Sequence, residues 1–117
     1  MVKLYLTILK STDIIVLDLG SEKNKRYYMN LSRKFLFAGN VQGVGFRAKV
    51  CSYAQNFKVT GYVKNMPTGD VEVYVEGSSL EIERFLEKIY YEMKNNITSS
   101  TSKECIQKNF SDFKIFY

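Results

Sequence analysis

Gly39-Asn40-Val41-Gln42-Gly43-Val44-Gly45-Phe46-Arg47 separates a short apolar run from a stretch of helical periodicity, and that placement organises the chain. Phe35, Phe37 and Val41 mark a strand that runs into it. Beyond it, Phe46, Val50, Tyr53, Ala54 and Phe57 recur at i, i+4, i+7, i+8 and i+11, one face of an amphipathic helix. The glycines at 39, 43 and 45 permit positive φ and let a ligand approach the main chain without a Cβ in the way. A strand-to-helix turn of this kind aims several N–H groups at one point beside a helix N-terminus, a ready anion site. Arg47 stands at its edge, with the planar two-pronged geometry that suits phosphate or carboxylate. The turn has neither the Gly-Lys-Ser/Thr ending of a Walker loop nor the GxGxxG spacing of a dinucleotide fingerprint. By itself it is compatible with a phosphate cup or with a tight turn carrying a surface arginine.

Working outward, Lys58–Met66 is β-branched and aromatic, and Pro67-Thr68-Gly69-Asp70 is a turn signal. In Asp70–Glu76, Val71, Val73 and Val75 alternate with Glu72, Tyr74 and Glu76, so the two stretches pair economically as a hairpin. A second helix starts at Ser78, with Glu81 completing a capping box, and Ile82, Phe85, Leu86, Ile89 and Met93 form its apolar stripe. Asn95–Ser102 reads as a polar loop and Phe110–Tyr117 as a final strand. The order βαββαβ predicts an α+β fold of four or five strands: a ferredoxin-like sandwich, an antiparallel sheet with two helices on one face.

The 117 residues contain no histidine. That excludes an imidazole base, a Ser/His or Cys/His nucleophile pair, a phosphohistidine and a His-ligated metal. Cys51 and Cys105 are too far apart in sequence for a CxxC redox or zinc motif and read as reduced thiols. The net charge of +5 is spread among acidic residues rather than gathered in a block, which favours a solvated surface open to small anions. No apolar run approaches the ~18 residues of a membrane span.

Residues 1–31 differ in character. Leu4–Leu9 and Ile14–Leu19 are short apolar runs, followed by the basic tract Ser21–Arg26. They are read as an N-terminal extension to a domain at 32–117, with three forms open: an added hairpin, a disordered leader, or codons that are not normally translated ahead of a true start at Met29.

The cradle also carries a resemblance. Gly39-x-Val41-Gln42-Gly43-Val44-x-Phe46-Arg47 resembles the first signature of the acylphosphatases, and Gly61-Tyr62-Val63-Lys64-Asn65, followed by Gly69, Val71 and Gly77, resembles the second. The ending Phe113-x-Ile115-x-Tyr117 is similar to the family's last strand. The resemblance covers roughly residues 32–117. It implies a small metal-free, cofactor-free hydrolase of acyl phosphates. Arg47 and the main-chain N–H groups of Gln42, Gly43, Val44, Gly45, Phe46 and Arg47 would bind the phosphoryl group, and Asn65 would position the water.

These residue types suit that chemistry. A carboxyl–phosphate anhydride already has a good leaving group, so a protein mainly has to hold the phosphoryl oxygens and place a water in line. The amide of an asparagine offers an acceptor and two donors without titrating. Read without the resemblance, Asn65 before Met66-Pro67 is more simply a turn former. Lys49, Lys58 and Lys64 read as solvated residues that also suit steering of anions.

Two features depart from the family pattern: the Ser/Thr-rich connection Asn95–Glu104, which lacks glycine and proline, and the N-terminal extension. Two other readings compete. An RNA-binding module shares the βαββαβ order, and Gly43-Val44-Gly45-Phe46 partly resembles its aromatic motif, but at the wrong place in the order. A non-catalytic anion-binding module would keep the cup without turnover, as in the acylphosphatase-like domains of hydrogenase-maturation carbamoyltransferases. The expected partner is a small acyl phosphate rather than nucleic acid or membrane. A cytoplasmic monomer is expected, with residues 1–31 the place for any dimer contact.

Overall fold

The computed structural model describes residues 30–117, so the expectations for Leu4–Leu9, Ile14–Leu19 and Met29 lie outside the described residues. The elements are β1 (Asn30–Gly39), α1 (Phe46–Ala54), β2 (Val59–Asn65), β3 (Val71–Ser78), α2 (Ser79–Met93), β4 (Ile97–Glu104) and β5 (Phe113–Phe116). They form one five-stranded sheet in the order β4-β1-β3-β2-β5. The first four strands in that order make the ferredoxin-like arrangement expected of two βαβ units.

Alternation along the strands divides the sheet into two faces. Phe35 and Phe37 of β1 lie opposite Val73 and Val71 of β3, and Val63 of β2 lies opposite Val73. These side chains are buried with Phe46 and Val50 of α1 and Ile82, Phe85, Leu86 and Ile89 of α2 in one core. Each such side chain stabilises the fold by about 1.5–3 kcal/mol. Ring contacts knit the layers: Phe37 meets Phe46 at 5.7 Å, and Phe85 meets Phe113 of β5 edge-on at 5.4 Å.

The sheet is mixed, which corrects the expectation of an antiparallel one. β5 runs parallel to β2, with Gly61 opposite Phe113 and Lys64 opposite Phe116. The reversal follows from the path of residues 105–112, which cross the face of the sheet away from the helices and deliver β5 to the far edge.

Residues 97–104 correct the reading of a polar loop. They form β4, an edge strand antiparallel to β1, with Phe35 opposite Ser102 and Phe37 opposite Ser100. An edge strand is held by one neighbour and lies mostly in solvent, so Ser and Thr satisfy it where apolar alternation would expose surface. Its inward hydroxyls have partners: Ser100 hydrogen-bonds Tyr90, and Ser102 accepts from Nη2 of the buried Arg33 at 3.2 Å.

Three local expectations shift slightly. α1 ends at Ala54, and Phe57 packs on the core from the turn that follows. Ser78 caps α2 by accepting from the Glu81 N–H at 3.2 Å, but the Glu81 carboxylate accepts from the Lys58 N–H at 2.7 Å, so only half of the capping box forms. The final strand is shorter than Phe110–Tyr117, because Phe110 belongs to the crossing loop.

Candidate active site

The cradle turn leaves β1 at Gly39 and enters α1 at Phe46. Gly43 and Gly45 both adopt φ of +77°, and a Cβ at either would meet nothing within 4 Å, so backbone conformation rather than crowding calls for glycine there. Gly45 is the left-handed N-cap of α1 and supplies no side-chain cap, and the first turn contains no acidic residue. The positive end of this helix is therefore not neutralised by a cap or an acidic side chain of its own first turn.

Asn65 ends β2 opposite Val71 of β3, where the hairpin turns through Met66–Asp70. The turn is closed by Met66 N–H to Asp70 O at 2.8 Å and Gly69 N–H to Met66 O at 3.1 Å. The side chain of Gln42 joins cradle to hairpin: its Nε2 donates to the carbonyls of both Met66 and Asp70, each at 2.8 Å. Sequence reasoning named Gln42 only for its N–H. A glutamine can satisfy two carbonyls at once, but nothing in its local sequence says which carbonyls come near.

A cavity of about 180 Å³ opens at this end of the sheet, lined by Gly43, Gly45, Phe46, Arg47 and Asn65, with Ile115 and Tyr117 on the β5 side. Arg47 and Asn65 thus share one cavity although they come from different elements. Val44 lies outside this lining but is half-buried against the core, and Gln42 lies outside it with its side chain in the latch.

Arg47 is held from behind. Its Nη1 donates to the Phe116 carbonyl at 3.2 Å, and its guanidinium carbon lies 4.9 Å from the Tyr117 ring centroid. Tyr117 is otherwise 93% exposed. The Asn65 Oδ1 is buried and has no hydrogen-bond partner. An orphaned buried acceptor costs about 1–3 kcal/mol, a cost that a bound water or ligand donor would remove.

Lys49 and Lys58 are exposed and Lys64 is half-buried. Cys51 and Cys105 are free and half-buried. Burial, with the Asp112 charge adding to it, pushes the Cys51 thiol up. Burial raises Cys105 as well, against the pull of Lys34, Lys108 and Lys103. Neither is poised as a thiolate. Among the described residues no group of three or more His, Cys, Asp or Glu side chains is placed to hold a metal ion, and no helix is long and apolar enough to cross a membrane.

Comparison with known proteins bears on the family and the fold. The acylphosphatase family model matches residues 33–115. An acylphosphatase of Vibrio parahaemolyticus is 36% identical over 83 residues, covering 70% of this chain and 92% of the relative. The crystal structure of acylphosphatase from Bacillus subtilis superposes with a TM-score of 0.67 at 30% identity, over 76% of this chain and all of that one. A full-length HypF structure in a phosphate- and nucleotide-bound form aligns with a TM-score of 0.66 at 34% identity, but only over 12% of that protein. With a family model matched along most of its length and relatives spanned nearly end to end, the chain belongs to the acylphosphatase family.

Proposed function

We propose that residues 32–117 hydrolyse the carboxyl–phosphate bond of a small acyl phosphate, giving carboxylate and inorganic phosphate. The boundary read at residue 31 moves slightly toward the N-terminus, because Asn30 and Leu31 pair with Ser78 and Gly77 as the start of β1. The observation that carries the reading is the shared cavity of Arg47 and Asn65, with the orphaned Asn65 Oδ1 facing the need for a hydrogen-bond donor.

In this mechanism the phosphoryl group enters the cradle. The N–H groups of Gln42 to Arg47 and the Arg47 guanidinium take its oxygens, where charge is spread in the transition state. Holding Nη1 on the Phe116 carbonyl leaves the other guanidinium N–H groups for the substrate and reduces the motion lost on binding. Asn65 Oδ1 accepts from the attacking water and orients it in line with the leaving carboxylate. The water's oxygen bonds to phosphorus as the bond to the carboxylate oxygen breaks, and the water's proton passes to a phosphoryl oxygen. No histidine, metal or cofactor is called on. A cytoplasmic monomer acting on small-molecule substrates fits this chemistry.

The RNA-binding alternative is disfavoured by geometry. Gly43–Phe46 forms a turn and opens a helix rather than lying on a strand. Tyr62 and Tyr74, on the sheet face away from the helices, are only 6% and 0% exposed, stacked on each other beneath the crossing loop. Stacked bases would need such rings bare.

The test is turnover of benzoyl and acetyl phosphate by purified protein in EDTA, beside Arg47→Ala and Asn65→Ala. The expected result is metal-independent hydrolysis lost in both folded variants. Phosphate binding without turnover would leave the non-catalytic module standing instead.

A further inference from the structure

We propose that Glu76 is a positioning residue for Arg47, acting through the crossing loop and β5. The inference rests on the reading of Arg47 as the phosphoryl-binding group. Glu76 sits on β3 on the sheet face opposite the helices, 5% exposed. Three consecutive N–H groups converge on its carboxylate: Lys108 at 2.6 Å, Asn109 at 2.7 Å and Phe110 at 2.8 Å. The Tyr74 hydroxyl adds a donor at 2.5 Å and the Thr60 hydroxyl one at 3.3 Å. Asn109 adopts φ of +61°, which turns the chain so that successive N–H groups face one point, the geometry of an anion nest. Glu76 is the anion in that nest, and it clips the crossing loop to the sheet.

The clip bears on the cavity through one contiguous set of contacts. Phe110, the last residue of the nest, lays its ring 5.5 Å from Tyr74, 5.7 Å from Tyr62 and 6.0 Å from Phe116. Phe116 in turn stacks on Tyr62 at 4.6 Å and 3°. It is also the residue whose carbonyl receives Arg47. β5 is only four residues long and an edge strand, so pairing with β2 supplies few bonds at its end. The ring stack and the clipped loop supply the rest. Freeing the loop from Glu76 loosens Phe110, then Phe116, and with it the carbonyl that preorients the guanidinium. A buried carboxylate is costly unless this well satisfied, and a purely apolar loop contact would have covered the same surface without one.

Three variants test this: Glu76→Gln, which places an amide against N–H donors; Asn109→Val, whose β-branched side chain resists positive φ; and Asn109→Gly, which keeps it. Two quantities are read on folded protein well below its Tm. One is the 15N relaxation of Arg47 Nε without ligand; the other is the Kd for inorganic phosphate by calorimetry, beside KM and kcat for benzoyl phosphate. Glu76→Gln and Asn109→Val are expected to mobilise the guanidinium and to raise Kd and KM together, roughly fivefold or more, with kcat changed less. Asn109→Gly is expected to match the wild type. A lowered Tm with Arg47 order and phosphate Kd unchanged would make Glu76 merely structural and overturn the proposal. Wild-type protein that fails to hydrolyse benzoyl phosphate would sink the hydrolase reading, while the relaxation measurement would still decide whether Glu76 positions Arg47. Should Glu76→Gln not fold, Asn109→Val and its glycine counterpart decide the matter.

Discussion

Arg47 and Phe116 lie 69 residues apart in sequence, yet the guanidinium of one donates to the main-chain carbonyl of the other at 3.2 Å, placing the end of β5 behind the cavity. In the proposed mechanism Arg47 has two jobs for one planar group: Nη1 is tied to the Phe116 carbonyl and the remaining N–H groups are left for the substrate.

Arg47→Lys keeps the positive charge but has a single ammonium for both jobs and loses the two-pronged geometry. We expect kcat/KM for benzoyl phosphate to fall about 10²–10³-fold, as for loss of a preorganised transition-state donor. Steady-state kinetics on the folded variant measure this. A loss of less than about threefold would mean that charge alone suffices.

Asn65→Ala removes a side chain whose acceptor has no protein partner. Stability should change little, because no hydrogen bond to Oδ1 is broken. kcat should drop about 10²-fold or more through loss of water orientation, with KM changed less. Thermal melts beside initial-rate kinetics separate the two effects, and a large fall in Tm with kcat intact would reverse the assignment.

Gln42→Glu replaces a double donor with a carboxylate facing the Met66 and Asp70 carbonyls. The latch between cradle and hairpin should open, shifting Asn65 relative to Arg47. Each carbonyl keeps its turn hydrogen bond, Met66 from the Gly69 N–H and Asp70 from the Met66 N–H, so loss of the Gln42 donor costs about 0.5–1.5 kcal/mol at each. Activity should fall ~10–100-fold. In a double-mutant cycle with Asn65→Ala the two losses should be far from additive, because each acts through the same water. Additive losses would show that Gln42 acts elsewhere.

The carboxyl of Glu76 gives stability a defined pH dependence. Burial alone would raise its pKa, but the Tyr74 hydroxyl and the N–H groups of Asn109, Phe110 and Lys108 outweigh burial and hold it below its ordinary value of 4.5. A carboxyl with a lowered folded pKa contributes stability that is fully present above the unfolded value and lost as pH falls through the folded one. The Tm advantage of wild type over Glu76→Gln should therefore be constant from neutrality down to about pH 5 and shrink below about pH 4.5. Parallel melts across that range check it; an advantage that grows toward acid would contradict the nest.

With no histidine in the chain, kcat should show no enzyme-borne ionisation near pH ~6.5, where imidazole titrates. Rate profiles compared with the phosphate ionisation of the substrate provide the measurement. A steep step that does not follow the substrate would contradict a mechanism built on a guanidinium, an amide and main-chain N–H groups.

Local periodicity and turn chemistry made much of this molecule legible in advance. The two helix stripes except for Phe57, the Val71, Val73 and Val75 alternation, the Pro67–Asp70 turn and the glycines that take positive φ are properties of neighbouring residues, and each appears where its pattern puts it. Glycine punctuation marks the Arg47 turn as a local signal, whereas Asn65 at a hairpin end reads locally as a turn former and takes its expected role only from the resemblance to the second acylphosphatase signature. What stayed hidden was non-local. β4 carries no apolar alternation because an edge strand in solvent needs none.

The sequence by itself determined the helices, the central hairpin, the cradle turn and, through its missing histidine, the kind of chemistry open to the chain. Only the tertiary structure decided that β5 lies parallel to β2, that Gln42 latches onto Met66 and Asp70, and that Phe116 holds Arg47. Those relationships join residues 24 to 69 positions apart. No periodicity encodes them, because they depend on how a loop crosses the sheet and where closure of the chain brings a carbonyl.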